Sequence, residues 1–219
     1  MAAAVAVGED ENNFPFDVQF KVALVGHSQL PRQLNVDHRG VVVRSFRAPG
    51  ARANEFQNIP RLQAALAWPH DLTILWLGSN DVRDHSQPDD IANTIQAIVT
   101  TFERERGSEV AIVLLEPRRY DPRLGISPRR YRLISNGINQ RLIRRNRSRD
   151  TIHFSARPFV DGLSRDGVHF GPETRIHVNR KLESLIKKKA HAFFLLRSLG
   201  GTYDNPVDRY GGIGSYSIE

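Results

Sequence analysis

At 219 residues the chain suits one domain of ordinary size, long enough to bury a core. Its composition, 40% hydrophobic and 25% charged, is that of a globular protein, and the absence of cysteine excludes disulfides and thiolate metal sites. The net charge of +7 is unevenly placed: Arg118 to Arg149 holds eleven arginines and one acid, Asp121, so the remainder is slightly acidic.

The opening "MAAAVAVGEDENN" lacks a basic n-region and turns acidic quickly, so residues 1–19 read as an extended or disordered leader, not a signal peptide. No apolar run approaches the roughly 18 residues that span a bilayer. The expectation is a soluble protein of the cell interior, in the cytoplasm. Residues 20–199 form the folded domain. The Gly-, Tyr- and Ser-rich residues 200–219 read as an extended or disordered tail.

Five apolar, β-branched runs alternate with helical patterns. Val22–Val25 and "VVVRSF" (Val41–Phe46) come first, separated by a short connection from Ser28 with room for about one helical turn. Ala53–Ala67 then spaces Phe56, Ile59, Leu62 and Leu66 as one helix face. "LTILWLG" (Leu72–Gly78) is the third strand, followed by a helix over Asp89–Arg106 with Ile91, Ile95, Ile98 and Phe102 in register. "VAIVLLEP" (Val110–Pro117) is the fourth strand, and Ser127–Arg147 is a helix with Tyr131, Ile134, Ile138 and Leu142 on one side. "TIHFS" (Thr151–Ser155) is the fifth strand, and the last helix spans Pro172–Leu199. Continuous apolar runs suit parallel strands buried on both faces. The alternation predicts a flavodoxin-like three-layer α/β/α sandwich with strand order 2-1-3-4-5.

Ligands of open α/β sheets bind at the carboxyl ends of the strands. Strand one ends in Gly26-His27-Ser28. Strand two leads through "RAP" to Gly50, and strand three ends in Gly78-Ser79-Asn80-Asp81. "DGVHF" (Asp166–Phe170) precedes the final helix. Acyl transfer needs these residue types. A serine hydroxyl requires a base, which His169 can supply, and Asp166 three residues upstream can orient the imidazole. An oxyanion needs N–H donors, available from the Ser28 and Gly50 backbone and the Asn80 amide. Each residue also has a bland reading: Ser28 as a helix cap, Asn80 as a turn residue, Asp166 and His169 as a polar loop.

The four blocks "GHS", Gly50, "GSND" and "DGVH" resemble, in order and position, those of the SGNH, or GDSL-type, hydrolase superfamily. The resemblance covers roughly Lys21–Leu199. It implies Ser28 as nucleophile, His169 as base, Asp166 as its orienting partner and Ser28, Gly50 and Asn80 as the oxyanion hole. It implies hydrolysis of carboxylic esters of small molecules or lipids, without metal or cofactor. Two departures stand out: His27 occupies the usual place of an aspartate, and the segment after Ser28 is shorter than the family's first helix. We read His27 as a structural residue turned away from Ser28, with a second base or pH sensor as the other option.

Arg118, Arg119 and Arg123 follow the fourth strand and read as grips for an acidic group on a substrate. Arg129, Arg132, Arg144 and Arg147 fall opposite the apolar stripe of their helix. They are either a solvated face or a patch for nucleic acid or an anionic surface. The alternative function is therefore an inactive module of this fold that binds a polyanion through Arg118–Arg149. Some LINE-type retrotransposons encode an SGNH-like esterase in a protein that also handles RNA, a setting a basic member fits. "KLESLIKKKAHAFFLL" (Lys181–Leu196) reads as a docked terminal helix, with membrane-surface contact as the lesser option. Acyl chain, alcohol and oligomeric state are not legible.

Overall fold

The computed structural model describes residues 18–118, 125–153, 162–164 and 166–199. Nearly all of the expected leader, and the tail of residues 200–219, lie outside the described residues. Five parallel strands form one sheet: β1 (Phe20–Gly26), β2 (Val41–Arg47), β3 (Leu72–Trp76), β4 (Glu109–Val113) and β5 (Thr151–Ile152). Their order is β2-β1-β3-β4-β5, as the alternation predicted.

Burial explains which runs became which strands. Central β1 and β3 are closed to solvent on both faces, matching their unbroken apolar sequence. The expectation of two buried faces fails at β2, an edge strand whose residues are mostly half-exposed, with Arg44 turned outward. β5 is only two residues long, and the remainder of the expected fifth strand beyond His153 lies outside the described residues.

Among the described residues four α-helices flank the sheet: α1 (Pro60–Ala67), α2 (Pro88–Arg106), α3 (Pro128–Arg145) and α4 (Pro172–Ser198). Each opens on a proline, whose missing N–H costs nothing where the helix has no acceptor for it. The single helix expected over Ala53–Ala67 is two elements. A 3₁₀ turn covers Ala53–Asn58, and Ile59 then adopts extended angles because Pro60 crowds a helical backbone at the preceding residue. No helical turn bridges Ser28 to Val41 beyond the bend closed by Leu30 N–H on His27 O (3.3 Å).

The alternation of β1 divides the core. Ala23 and Val25 face α1, α2 and α3, while Phe20, Val22 and Leu24 face the α4 stripe of Val178, Leu182, Ile186, Ala190 and Phe193. Burying each such large apolar side chain contributes roughly 1.5–3 kcal/mol. β1 lies between β2 and β3, so its carboxyl end is flanked by theirs on one rim.

Candidate active site

The turn that carries Ser28 begins where β1 runs out of room. A Cβ on Gly26 would lie 2.1 Å from Trp76 O, so only glycine lets β1 close against β3 at this point. The chain then bends, placing His27 inside at 0% exposure and leaving Ser28 half-buried at the rim.

Ser28 Oγ lies 3.0 Å from His169 Nε2, and His169 Nδ1 lies 2.5 Å from Asp166 Oδ2. Asp166 Oδ1 accepts from Ser164 Oγ (2.6 Å) and from the N–H groups of Val168 and His169 (both 2.9 Å). Burial works against ionising Asp166, but the bonds from His169, Ser164 and the two amides hold its carboxyl well below the usual range. The loop is closed at its base by an antiparallel bridge between Leu163 and Phe170. The structure thus brings together three residues separated by some 140 positions, in the geometry of a hydroxyl, its base and the base's orienting carboxylate.

The flanking loops join across the end of β1. Asn80 Nδ2 donates to Ala51 O (3.0 Å), and Asp81 accepts from Ala53 N (2.8 Å) and Asn54 N (3.3 Å), tying the β3 loop to the β2 loop. Gly50 sits in that loop at φ +78°, with open space where a Cβ would stand. Among the described residues the N–H groups of Ser28 and Gly50 have no partner. They and the second Asn80 amide hydrogen are the donors this rim can offer to a developing oxyanion.

Beneath the turn lies a buried polar group. Glu116, just past β4, is fully buried and accepts from Trp76 Nε1 (3.1 Å) and Ser79 Oγ (2.5 Å). Arg118 Nη2 donates to Glu116 Oε1 (3.2 Å) and to Asn80 Oδ1 (3.0 Å). His27 Nδ1 accepts from Gln29 N (3.4 Å), and its Nε2 stands 3.7 Å from Glu116 Oε2. Burial, aided by the charges of Arg118, His169 and Arg47, lowers the His27 pKa to about 4 against the pull of Glu116, so the ring is neutral at pH 7. Burial also opposes ionisation of Glu116, yet the Arg118 cation and the Ser79 hydroxyl hold its carboxyl below the usual range. With His27 neutral, the standing counter-charge is Arg118. His27 therefore has the inward, structural placement read from the sequence.

Arg118 corrects the expectation made for it. At 5% exposure it is an internal strut between Glu116 and Asn80, not a grip at the rim, because the buried carboxylate two residues earlier draws its guanidinium inward. Arg119 and Arg123 lie outside the described residues.

The sequence profile of the GDSL-like lipase/acylhydrolase family matches residues 23–179, well over half the chain. The chain belongs to that family. A comparison with curated protein sequences finds no match. Among solved structures, the aryl esterase of M. smegmatis is similar at TM-score 0.60 and 19% identity, over 77% of this chain and 99% of that one. The esterase EstA from Pseudoalteromonas sp. gives 0.58 and 14%, over 78% and 98%. A lipase/acylhydrolase from Enterococcus faecalis gives 0.58 and 13%, over 78% and 97%. At these identities the likeness is one of fold.

Within this GDSL-like domain, four polar residues that sequence reading passed over shape the site. Gln29 donates to Val168 O (2.6 Å) and accepts from Phe170 N (3.4 Å), gripping the loop on both sides of His169. Arg47 donates through Nε and Nη2 to Ser28 O (3.2 and 2.9 Å). Glu116 and Ser79 complete the set. Glu116 was findable: inspecting the end of the fourth strand, as was done for the others, exposes a carboxylate closing an apolar run. Gln29 and Arg47 carry no comparable signal.

The basic segment is partly neutralised from elsewhere in the fold. Arg141 and Arg145 pair with Asp89 (2.6 and 3.6 Å), Arg149 with Glu103 (2.6 Å) and Arg130 with Asp84 (3.6 Å). Arg129, Arg132, Arg144 and Arg147 remain exposed on α3 and just past it, opposite the buried Tyr131, Ile134, Ile138 and Leu142. Among the described residues no helix is long and apolar enough to cross a membrane.

Proposed function

We propose that the protein is a serine hydrolase of carboxylic esters. Ser28 attacks the ester carbonyl while His169 Nε2 takes its proton, and Asp166 holds the imidazole in the required tautomer. The Ser28 and Gly50 N–H groups and the Asn80 amide stabilise the tetrahedral oxyanion. His169 then protonates the departing alcohol, and water, activated by the same base, releases the acid from Ser28. The observation that carries this reading is the chain of contacts from Ser28 Oγ to His169 Nε2 at 3.0 Å and from Nδ1 to Asp166 at 2.5 Å.

The test is labelling by a fluorophosphonate probe, expected in the wild-type protein and lost in Ser28→Ala. An intact protein that does not label removes the esterase reading. Rates on esters of increasing acyl length then separate acetyl, longer acyl and lipid esters. The polyanion-binding alternative through Arg118–Arg149 is less favoured, because Asp84, Asp89 and Glu103 already occupy four of its arginines.

A further inference from the structure

Two guanidiniums stand beside the Ser28–His169 pair, each hung on a backbone carbonyl. Arg47, the last residue of β2, is fixed by its two bonds to Ser28 O. Arg175, in the first turn of α4, donates Nε to Phe170 O (2.9 Å), the residue after His169. Arg32, four residues past the nucleophile, and Arg61, at the start of α1, are exposed and add to the same field. Burial chiefly, and then the charges of Arg32, Arg175 and Arg61, lower the Arg47 pKa, so each of the three acts on Arg47.

None of the four has a carboxylate at ion-pair distance among the described residues. The contrast with α3 is informative. There, acids from α2 and its approach meet Arg130, Arg141, Arg145 and Arg149, whereas at the site the charges repel each other unanswered. Arg47 Nη1 and both Nη groups of Arg175 have no partner among the described residues, so forked donors remain for a ligand.

The chemistry also says which part of an ester meets them. His169 must hand its proton to the leaving oxygen, so the alcohol departs on the His169 side, where Arg175 is anchored. We propose that the site's substrates are esters whose alcohol carries a phosphate or carboxylate, held by Arg47 and Arg175. This rests on the esterase reading above. The reaction balances as hydrolysis: the Ser28 Oγ–carbonyl bond forms, the bond from that carbon to the alcohol oxygen breaks and the Ser28 proton leaves on the anionic alcohol; water then adds to the acyl carbon, the Ser28 Oγ–carbon bond breaks, the acid departs and a water proton returns to Ser28 through His169.

The test compares acetyl esters of glycerol, glycerol 3-phosphate and choline on the full chain, in wild type, Arg47→Gln and Arg175→Gln. Wild type should favour the phosphate ester over the neutral one by about tenfold or more in kcat/KM, with the cationic ester poorest. Each substitution should reduce that preference about tenfold, and added salt should erode it. A lysophospholipid bearing the same phosphate distinguishes a lipid source from a soluble one. No preference in wild type, or a preference untouched in Arg175→Gln, overturns the proposal. Arg175 is exposed, so its variant remains informative should Arg47→Gln fail to fold. Binding of phenyl phosphate to Ser28→Ala, measured by calorimetry, needs no turnover. If no ester is cleaved, the esterase reading fails, and phosphate binding that weakens in Ser28→Ala/Arg175→Gln still upholds the anion site. Binding equal in the two proteins, or none in either, removes it.

Discussion

Replacing Arg118 by methionine separates two tasks that one guanidinium performs. Its Nη2 lies 3.2 Å from Glu116 Oε1 and 3.0 Å from Asn80 Oδ1, and its side chain is 2% exposed. Without it the buried Glu116 loses its standing counter-charge. Breaking a buried pair from one side costs about 3–5 kcal/mol. In a domain of this size each kcal/mol moves Tm by roughly 2–4 °C, so Arg118→Met should melt about 6–20 °C below wild type. The Asn80 amide also loses the contact that fixes its oxygen, and kcat should fall toward the ~10²–10³ loss of a missing oxyanion donor. The double variant Glu116→Gln/Arg118→Met removes both charges and should regain most of the stability, since replacing a whole buried pair is often near neutral. Its kcat should stay low, because Asn80 is still unanchored. Thermal unfolding by circular dichroism gives the first quantity, and ester turnover well below each variant's Tm gives the second. A wild-type kcat in Arg118→Met, or recovery of both quantities in the double variant, refutes the role of Arg118 in aiming Asn80.

Gln29→Ala should strand the buried Val168 O, costing about 1–3 kcal/mol. Loosening the loop around His169 should lower kcat by about ten- to a hundredfold, read in a steady-state assay with KM little changed. His27 makes stability pH-dependent with a definite sign. Its folded pKa of about 4 lies below the unfolded value, so the unfolded chain binds the extra proton. That contribution is complete above about pH 6.5 and fades as pH falls toward 4, by about 3 kcal/mol in total. Urea unfolding across this window should show the decline in wild type and a flatter profile in His27→Gln.

The fold was legible where burial left a simple signature. β1, β3 and β4 are enclosed, so their sequences are unbroken apolar runs, and the helices repeat at three and four because one face packs on the sheet. Legibility failed where a single backbone constraint overrode periodicity. The spacing of Phe56, Ile59, Leu62 and Leu66 is helical throughout, but Pro60 breaks the element after a 3₁₀ turn. β2 read as a core strand because "VVVRSF" is an apolar run like the others, but its half-exposed residues reflect its place at the sheet's edge, which no local pattern reveals. At the site, Ser28, Gly50, Asn80, Asp166 and His169 were singled out because strand ends converge on one rim. Arg118 was misread because its direction depends on the buried charge of Glu116, and no local pattern reveals a side chain's burial.

The exchange at position 27 acquires a physical meaning from the same buried group. Where the family usually carries an aspartate before the nucleophile, this chain has a histidine that stays neutral, and the carboxylate under the turn comes from Glu116 beyond β4. An aspartate at 27 would set a second buried anion beside Glu116, with Arg118 alone to answer both. His27 and Glu116 are therefore one arrangement, with Arg118 as its counter-charge. Glu116 also receives Trp76 from β3 and Ser79 from the loop after it, so it joins the ends of three strands into the floor beneath Ser28 and Asn80. Arg118 and Arg47 thus divide by environment. Arg118 is enclosed with a carboxylate and serves the scaffold, while Arg47, among the described residues, is bound to the Ser28 carbonyl with no carboxylate beside it.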